Sequence, residues 1–327
     1  MSISAIVSGT GRSVPERVLT NADLEKIVDT SDEWITTRTG IKERRIAADD
    51  EVLSKFASEA GRQALEASGV APEDVGLLVL ATVTPDMPIP ATACTIQHDL
   101  GCVNAAAFDL AAGCSGFIYA QSVAKQFVLS GRCAHALVIG AELLSKYIDW
   151  TDRATCVIFA DGAGAVLLSA GSPPRGVLAS AMHSDGSMVD FISMPGGGTL
   201  HPPSQAMIDA RLHFIKMKGN ETFKMAVRCI EEVCREVLDQ AGLTPDDVDW
   251  FIPHQANARI ITAVGKRLGM NDERCYINID RYGNTSSASI PIALDEVVRD
   301  GKIEPGHIVL MAAFGAGLTW AASVARW

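Results

Sequence analysis

Cys114 stands in a setting that suggests chemistry. It lies in Asn104-Ala-Ala-Ala-Phe-Asp-Leu-Ala-Ala-Gly-Cys-Ser-Gly-Phe-Ile-Tyr-Ala-Gln-Ser-Val-Ala124, which reads as a strand, a tight turn of small residues and a helix. With Gly113 and Gly116 around it, the turn presents the side chain at a helix N-terminus, where the dipole favours a thiolate. A free thiol titrates near 8.5, and bringing that to about 7 takes roughly 2 kcal/mol. The helix supplies about 0.3–1 kcal/mol, rising to about 2 kcal/mol when the site is partly buried, so a neighbouring histidine would help. A thiolate can attack an acyl group, and backbone N–H groups of the same turn can hold the resulting oxyanion. The competing reading is a small, inert core cysteine.

Of seven histidines, His254 is the one with context. It directly follows the apolar strand Trp250-Phe-Ile-Pro253 and opens Gln255-Ala-Asn-Ala-Arg259. That places it at a C-terminal strand edge, where α/β proteins gather their sites. Asn284 lies in Arg281-Tyr-Gly-Asn-Thr-Ser-Ser-Ala-Ser-Ile-Pro291, where Gly and Asn permit unusual backbone angles and the serines can cap the helix that follows.

Two segments repeat. Ala64-Leu-Glu-Ala-Ser-Gly-Val-Ala-Pro-Glu-Asp-Val-Gly-Leu-Leu-Val79 resembles Val237-Leu-Asp-Gln-Ala-Gly-Leu-Thr-Pro-Asp-Asp-Val-Asp-Trp-Phe-Ile252, with an offset of 173 residues between Gly69 and Gly242. Each reads as an amphipathic helix, a Gly stop, a Pro-Asp turn and a buried strand. The expected halves are 1–173, carrying the cysteine, and 174–327, carrying His254 and Asn284. The same offset brings the Asn284 turn opposite the Cys114 elbow, so three residues converge on one place. Apolar runs such as Leu77–Val83, Ala136–Gly140 and Ile308–Ala312 fit sheets covered on both faces. Two such halves predict an α/β fold, a duplicated five-layered αβαβα sandwich. The segment 182–217 reads as a long irregular loop or lid.

The bulk numbers exclude several classes. A chain that is 48% hydrophobic and 20% charged can bury a large core. A formal charge of −11 argues against a broad nucleic-acid surface. No apolar run approaches bilayer length. The N-terminus lacks the basic start and small-residue cleavage site of a signal peptide, so a cytoplasmic location is expected. The eight cysteines form no CxxC pair, and no histidine spacing suggests a metal.

At these residues the chain resembles the thiolase-fold condensing enzymes, and among them the beta-ketoacyl-acyl carrier protein synthase III family, from about Gly9 to Trp327. The motifs are Thr20-Asn-Ala-Asp-Leu-Glu-Lys26, Asp29-Thr-Ser-Asp-Glu-Trp-Ile35, Arg38-Thr-Gly-Ile-Lys-Glu-Arg44, Gly113-Cys-Ser-Gly-Phe117, Phe159-Ala-Asp-Gly-Ala-Gly-Ala165, Pro253-His-Gln-Ala-Asn257, Gly283-Asn-Thr-Ser286 and Phe314-Gly-Ala-Gly-Leu-Thr-Trp320. The resemblance implies a homodimer, no resident cofactor and a Cys-His-Asn triad on Cys114, His254 and Asn284. It also implies a reaction that initiates fatty acid biosynthesis. Cys114 takes an acyl group from acetyl-CoA or a somewhat longer acyl-CoA. Malonyl on acyl carrier protein is then decarboxylated to an enolate, held by His254 and Asn284, which attacks the acyl-Cys114. The backbone N–H groups of Cys114 and Ala316 would form the oxyanion hole.

The resemblance further implies binding surfaces. Trp34 and Arg153 would sandwich the CoA adenine, with Arg38, Thr30, Asn220, Phe223, Ala256 and Asn257 along the channel. The helix 256–268 carries Arg259, Lys266 and Arg267 on one face; with Lys224, Gln255, Ala256, Asn257 and Ala258 it would dock the acidic carrier. Phe159, Phe314 and Ile89 would bound the acyl pocket, Ile89 reaching in from the partner subunit. Members that prefer acetyl often carry an aromatic at that last position, so Ile89 implies room for a longer primer. The nucleophile motif reads Gly-Cys-Ser where Ala-Cys-Ala is frequent, and Phe-Gly-Ala-Gly stands where three glycines often run. Other readings share these parts. A starter-unit synthase of secondary metabolism would differ in pocket volume. A thioester hydrolase needs only Cys114 and His254. A non-catalytic partner subunit would have no need of the intact triad.

Overall fold

The runs expected as doubly covered strands form two central sheets in the computed structural model, which describes residues 3–327 and, for Asn220, the backbone alone. The first sheet is ordered Ser4–Ser13, Asp161–Gly171, His135–Leu143, Val75–Ala81, Ala106–Leu110. Its first two pairings are antiparallel and its last two parallel. The second sheet runs Gly176–Ser184, Thr319–Arg326, Ile308–Gly315, Trp250–Pro253, with two antiparallel pairings and then a parallel one. A parallel bridge from Phe251 to Cys275 stands where a fifth strand would pair. The chain passes from one sheet to the other between Gly171 and Gly176.

Side chains alternate along each strand and so build three cores between five layers. Leu77, Val79 and Ala81 face a central core that also holds Phe117 and Ile118 of helix Gly116–Leu129 and Ile290 and Leu294 of helix Ser289–Arg299. Leu78 and Leu80 face the outer core under helices Leu53–Ser68 and Thr92–Leu100. On the far side, Phe251, Leu310 and Ala322 pack against helices Gly219–Ala241 and Ala258–Leu268. The two central helices are therefore enclosed by both sheets, and each starts at the turn that carries Cys114 or follows Asn284.

The repeated segments fold alike. Helix Leu53–Ser68 stops at left-handed Gly69 and helix Gly219–Ala241 at left-handed Gly242. A 3-10 turn follows each, Pro72–Asp74 and Pro245–Asp247, before the strand. The proline pre-sets the turn and has no amide proton to strand.

One local expectation shifts. The segment 182–217 is more ordered than a free loop: strands Ile192–Ser193 and Lys216–Met217 pair antiparallel around the short helix Gln205–Asp209. Helix Asp32–Thr39 is capped by Ser31, whose hydroxyl accepts from Trp34 N–H. Ser31 has the extended backbone a cap needs, which leaves the buried Thr30 hydroxyl without a partner. The helix ends at left-handed Gly40.

Candidate active site

Cys114 sits in a 3-10 turn, Gly113–Ser115, at the head of helix Gly116–Leu129. Gly113 is left-handed at φ 52°, which only glycine adopts without strain. The turn lies against the end of strand Ile308–Gly315: a Cβ on Gly315 would stand 2.5 Å from the Cys114 amide nitrogen, and one on Gly113 3.0 Å from that of Ala316. The two glycines thus allow the amides of Cys114 and Ala316 to come close together. Among the described residues neither N–H donates to a turn, loop or cap hydrogen bond. Both are free for an oxyanion.

Cys114 forms part of two cavities of about 170 Å³ each, which share only Phe159 and Ile192 besides the sulfur-bearing residue. One is lined by Phe223, His254, Ala256, Asn257, Asn284 and Phe314, among others. The other is almost entirely apolar, with Leu144, Tyr147, Met194 and Ile215, and includes Ser286 and Ala316. A thioester entering by the first cavity could leave its acyl chain in the second.

The polar groups of the triad are oriented by neighbours. His254 is buried, its Nδ1 is 2.6 Å from Ser289 Oγ, and its Nε2 has no partner. Ser289 Oγ also accepts the Gln255 backbone N–H. Its own proton is therefore best donated to Nδ1; the opposite tautomer would strand a buried hydroxyl proton at a cost of about 1–3 kcal/mol. Nε2 then carries the hydrogen and points into the cavity as a donor. Burial drives the imidazole pKa down to about 3, so the ring stays neutral at physiological pH. Asn284 Oδ1 accepts the Ser286 N–H at 2.8 Å, which turns the Asn284 amino group toward the cavity. The backbone of Asn284 is fixed on both sides, Asn284 N–H to Ile158 O and Ala160 N–H to Asn284 O. Two neutral donors therefore face the space beside Cys114.

The thiol itself departs from expectation. The dipole argument predicts a lowered pKa, but burial pushes Cys114 up to about 11, Glu142 adds to that, and the Ser286 hydroxyl opposes it. Loss of water around the sulfur disfavours the thiolate and works against the helix terminus.

Further out, Trp34 has the Arg153 guanidinium 4.8 Å from its ring centroid and Arg38 5.5 Å away. Arg259 stands over Phe223 at 5.5 Å on the rim of the channel. Arg259, Lys266 and Lys224 are exposed; Arg267 is exposed and paired with Glu231. Three assignments change character. Gln255 is 1% exposed, and its amide is consumed by Pro253 O, Tyr276 O and Asn278 N–H, so it braces the site from within and offers nothing to a docking partner. Asn257 caps helix Ala258–Leu268 through Oδ1 and ties Arg38 O through Nδ2; it shapes the channel without a spare polar group. Ala258 packs against Gly40. Ile89 is 85% exposed and lines neither cavity of its own chain. Asn220's side chain lies outside the described residues. Sequence reading missed Ser289, Ser286 and Glu142. Glu142 had a signal, a lone charge closing an apolar strand at its C-terminal edge.

Models of the 3-oxoacyl-[acyl-carrier-protein] synthase III family match residues 108–186, and its C-terminal model matches 238–327. A beta-ketoacyl-[acyl-carrier-protein] synthase III from Caldanaerobacter subterraneus subsp. tengcongensis is 54% identical over 325 residues, 99% of this chain and 98% of that one. The chain belongs to the 3-oxoacyl-[acyl-carrier-protein] synthase III family. The crystal structure of the Aquifex aeolicus synthase III superposes with a TM-score of 0.91 at 49% identity, covering 99% and 100% of the two chains. The priming beta-ketosynthase of the R1128 polyketide pathway superposes at 0.92 with 36% identity, covering 98% and 96%. Membership makes the chain a condensing acyltransferase of the thiolase fold, acting at the start of fatty acid biosynthesis.

Ser289→Ala removes the group that holds Nδ1 unprotonated. Decarboxylation of a malonyl thioester should fall about tenfold, the equivalent of roughly 1.4 kcal/mol, while acetyl transfer to Cys114 stays near its normal rate. Equal losses in both steps would reject the assignment.

Proposed function

We propose that Cys114 attacks an acyl-CoA thioester, that CoA leaves, and that malonyl on acyl carrier protein follows into the same channel. His254 Nε2–H and the Asn284 amino group hold the malonyl thioester oxygen while CO2 departs. The enolate then attacks the acyl-Cys114 carbonyl, whose oxygen rests on the N–H groups of Cys114 and Ala316, and a 3-oxoacyl carrier product forms. The observation that carries this reading is the pair of neutral donors aimed into the cavity that contains the thiol. Neutral donors suit an enolate, because they stabilise charge that develops only in the transition state. The parts needed are all side chains, main chain and substrate, so the reaction runs without a resident cofactor.

The CoA adenine stacks on Trp34, with Arg153 displaced outward to cover its other face. Thr30, Arg38, Phe223 and the Ala256–Asn257 backbone follow the pantetheine. Arg259, Lys266 and Lys224, exposed at the channel rim, receive the acidic carrier protein. The functional unit is a homodimer. The strand Ala106–Leu110 is an open sheet edge, mostly half-buried, and the apolar side chains of Met87, Ile89 and Val103 are exposed, the last two by 85% and 72%; a bare edge beside apolar side chains favours a second copy. Ile89 of that copy bounds the acyl pocket. The two halves, 1–173 and 174–327, derive from one duplicated unit, a reading supported by their matching strand orders. Among the described residues no helix is long and apolar enough to cross a membrane, in keeping with work in the cytoplasm on carrier-bound chains.

Intact-protein mass spectrometry after mixing with acetyl-CoA tests the central step. One acetyl group on the protein is the expected result. Labelling by longer acyl-CoAs alone would move the chain toward a specialised starter unit, and no adduct with any acyl-CoA would sink the loading step.

A further inference from the structure

The two enolate donors come from different elements, His254 from the end of a strand and Asn284 from a turn, yet they have to meet one oxygen. The segment 276–282 touches both. It is hydrogen-bonded to Gln255, the neighbour of His254, and it continues through Gly283 into Asn284. Gly283 stands at φ 64° and ψ −160°, a region open only to glycine, so the placing of Tyr282 decides where Asn284 begins.

Gln255 fills a break in the sheet. Tyr276 N–H reaches Phe251 O, as in a parallel ladder, but at the next rung Pro253 has no N–H for Tyr276 O. The Gln255 side-chain amide takes that rung. Its Nε2 donates to Pro253 O at 2.8 Å and to Tyr276 O at 3.1 Å, and its Oε1 accepts Asn278 N–H at 3.0 Å. Its backbone N–H goes to Ser289 Oγ, the group that sets the His254 tautomer. His254 is thus held against the 276–278 segment by its neighbour's side chain.

Glu296 holds that segment in turn. It lies about two turns beyond Ser289 on helix Ser289–Arg299 and is 4% exposed. Its carboxylate accepts Asn278 Nδ2 at 2.7 Å, the two ends of the Arg281 fork at 2.9 and 3.1 Å, and the Tyr282 hydroxyl at 2.8 Å. A forked, charge-assisted pair fixes direction as well as distance. The Cys114 elbow hangs on other anchors: Ser115 Oγ donates to Thr319 O, and Thr319 Oγ1 to Ala112 O.

We propose that Glu296 is a positioning residue for the malonyl half of the reaction, keeping both enolate donors in register from a single carboxylate. One arm runs through Asn278 and Gln255 to His254. Another runs through Arg281 and Tyr282 to Asn284. Its own helix carries Ser289 to His254 Nδ1. Glu296 touches no substrate; it keeps two N–H groups converging on one point, where a misplacement of about 1 Å can cost about 100-fold in rate. This role rests on His254 and Asn284 being the enolate donors.

Decarboxylation of malonyl-CoA and acetyl loading of Cys114, measured side by side, test it. Glu296→Gln keeps the shape and loses the charge that orients Arg281. In that variant kcat for decarboxylation should fall about 30-fold, with KM within about twofold of native and acetyl loading within about threefold. Because Glu296 acts only through the donors, the same substitution placed in the His254→Ala/Asn284→Ala chain should cost nothing more. A further fall there, equal losses in loading and decarboxylation, or native decarboxylation in Glu296→Gln would each overturn the proposal. Should Glu296→Gln fail to fold, Gln255→Met decides: decarboxylation should fall by a similar factor, and not at all once His254 is replaced by Ala. Native decarboxylation in Gln255→Met, or a loss that survives His254→Ala, would overturn it. A chain whose decarboxylation is untouched by His254→Ala and by Asn284→Ala fails at the donors themselves, and is told apart by that.

Discussion

Cys114→Ala should take up no acyl group and lose condensation by about 10⁴-fold or more, the scale on which removing an enzymic nucleophile is felt. It should still decarboxylate a malonyl thioester. The reason is geometric: Nε2 of His254 is fixed by Ser289 and the Asn284 amino group by the Ser286 amide, and neither arrangement depends on the sulfur. The substitution deletes one half-reaction and leaves the donors of the other in place. Thermal melting close to that of the native chain would show that the half-buried side chain is a minor part of the core. An acyl adduct that survives in this variant would locate the nucleophile elsewhere among the eight cysteines.

The complementary pair, His254→Ala and Asn284→Ala, should load acetyl on Cys114 and fail at the second step. Each deletes one donor to the developing enolate, which is worth about 10²–10³ in rate. Because the two donors act on one oxygen, the double variant should be little worse than the poorer single one. The pH dependence follows from the lowered His254 pKa. The neutral ring is the donor, and it is protonated only near pH 3, so decarboxylation should show no histidine titration between about pH 5 and 8. A fall in rate through the ordinary histidine range, around 6.5, would mean that the ring is solvated in the working enzyme and would reject the buried-donor picture.

Much of this site was legible because its backbone demands are local. A glycine-flanked cysteine between a strand and a helix, and a histidine directly after a buried strand, can be placed without knowing the partner elements. Asn284 needed the repeat, which put its turn opposite the elbow. The hidden part was relational. Ser289 looks like any helix-capping serine until His254, 35 residues earlier, is found 2.6 Å away. Gln255 looks like a surface amide in a motif beside a basic helix, yet three hydrogen bonds turn it inward. The Cys114 pKa has two opposing sources of unequal legibility: helix position can be read from a pattern, whereas the loss of water around a sulfur depends on how the surrounding turns close over it. The irregular composition of 182–217 hid a short ladder whose pairing is set by backbone geometry more than by side-chain alternation.

Cys114 and its neighbours Phe159 and Ile192 border both cavities, and this common boundary imposes an order in time. A pantetheine arm threaded to the sulfur fills the passage, so CoA has to vacate before the carrier-borne thioester can follow. The protein never compares its two substrates side by side. It remembers the first as a covalent bond and meets the second with an empty hallway, which makes each substrate, when in excess, an obstacle to the other.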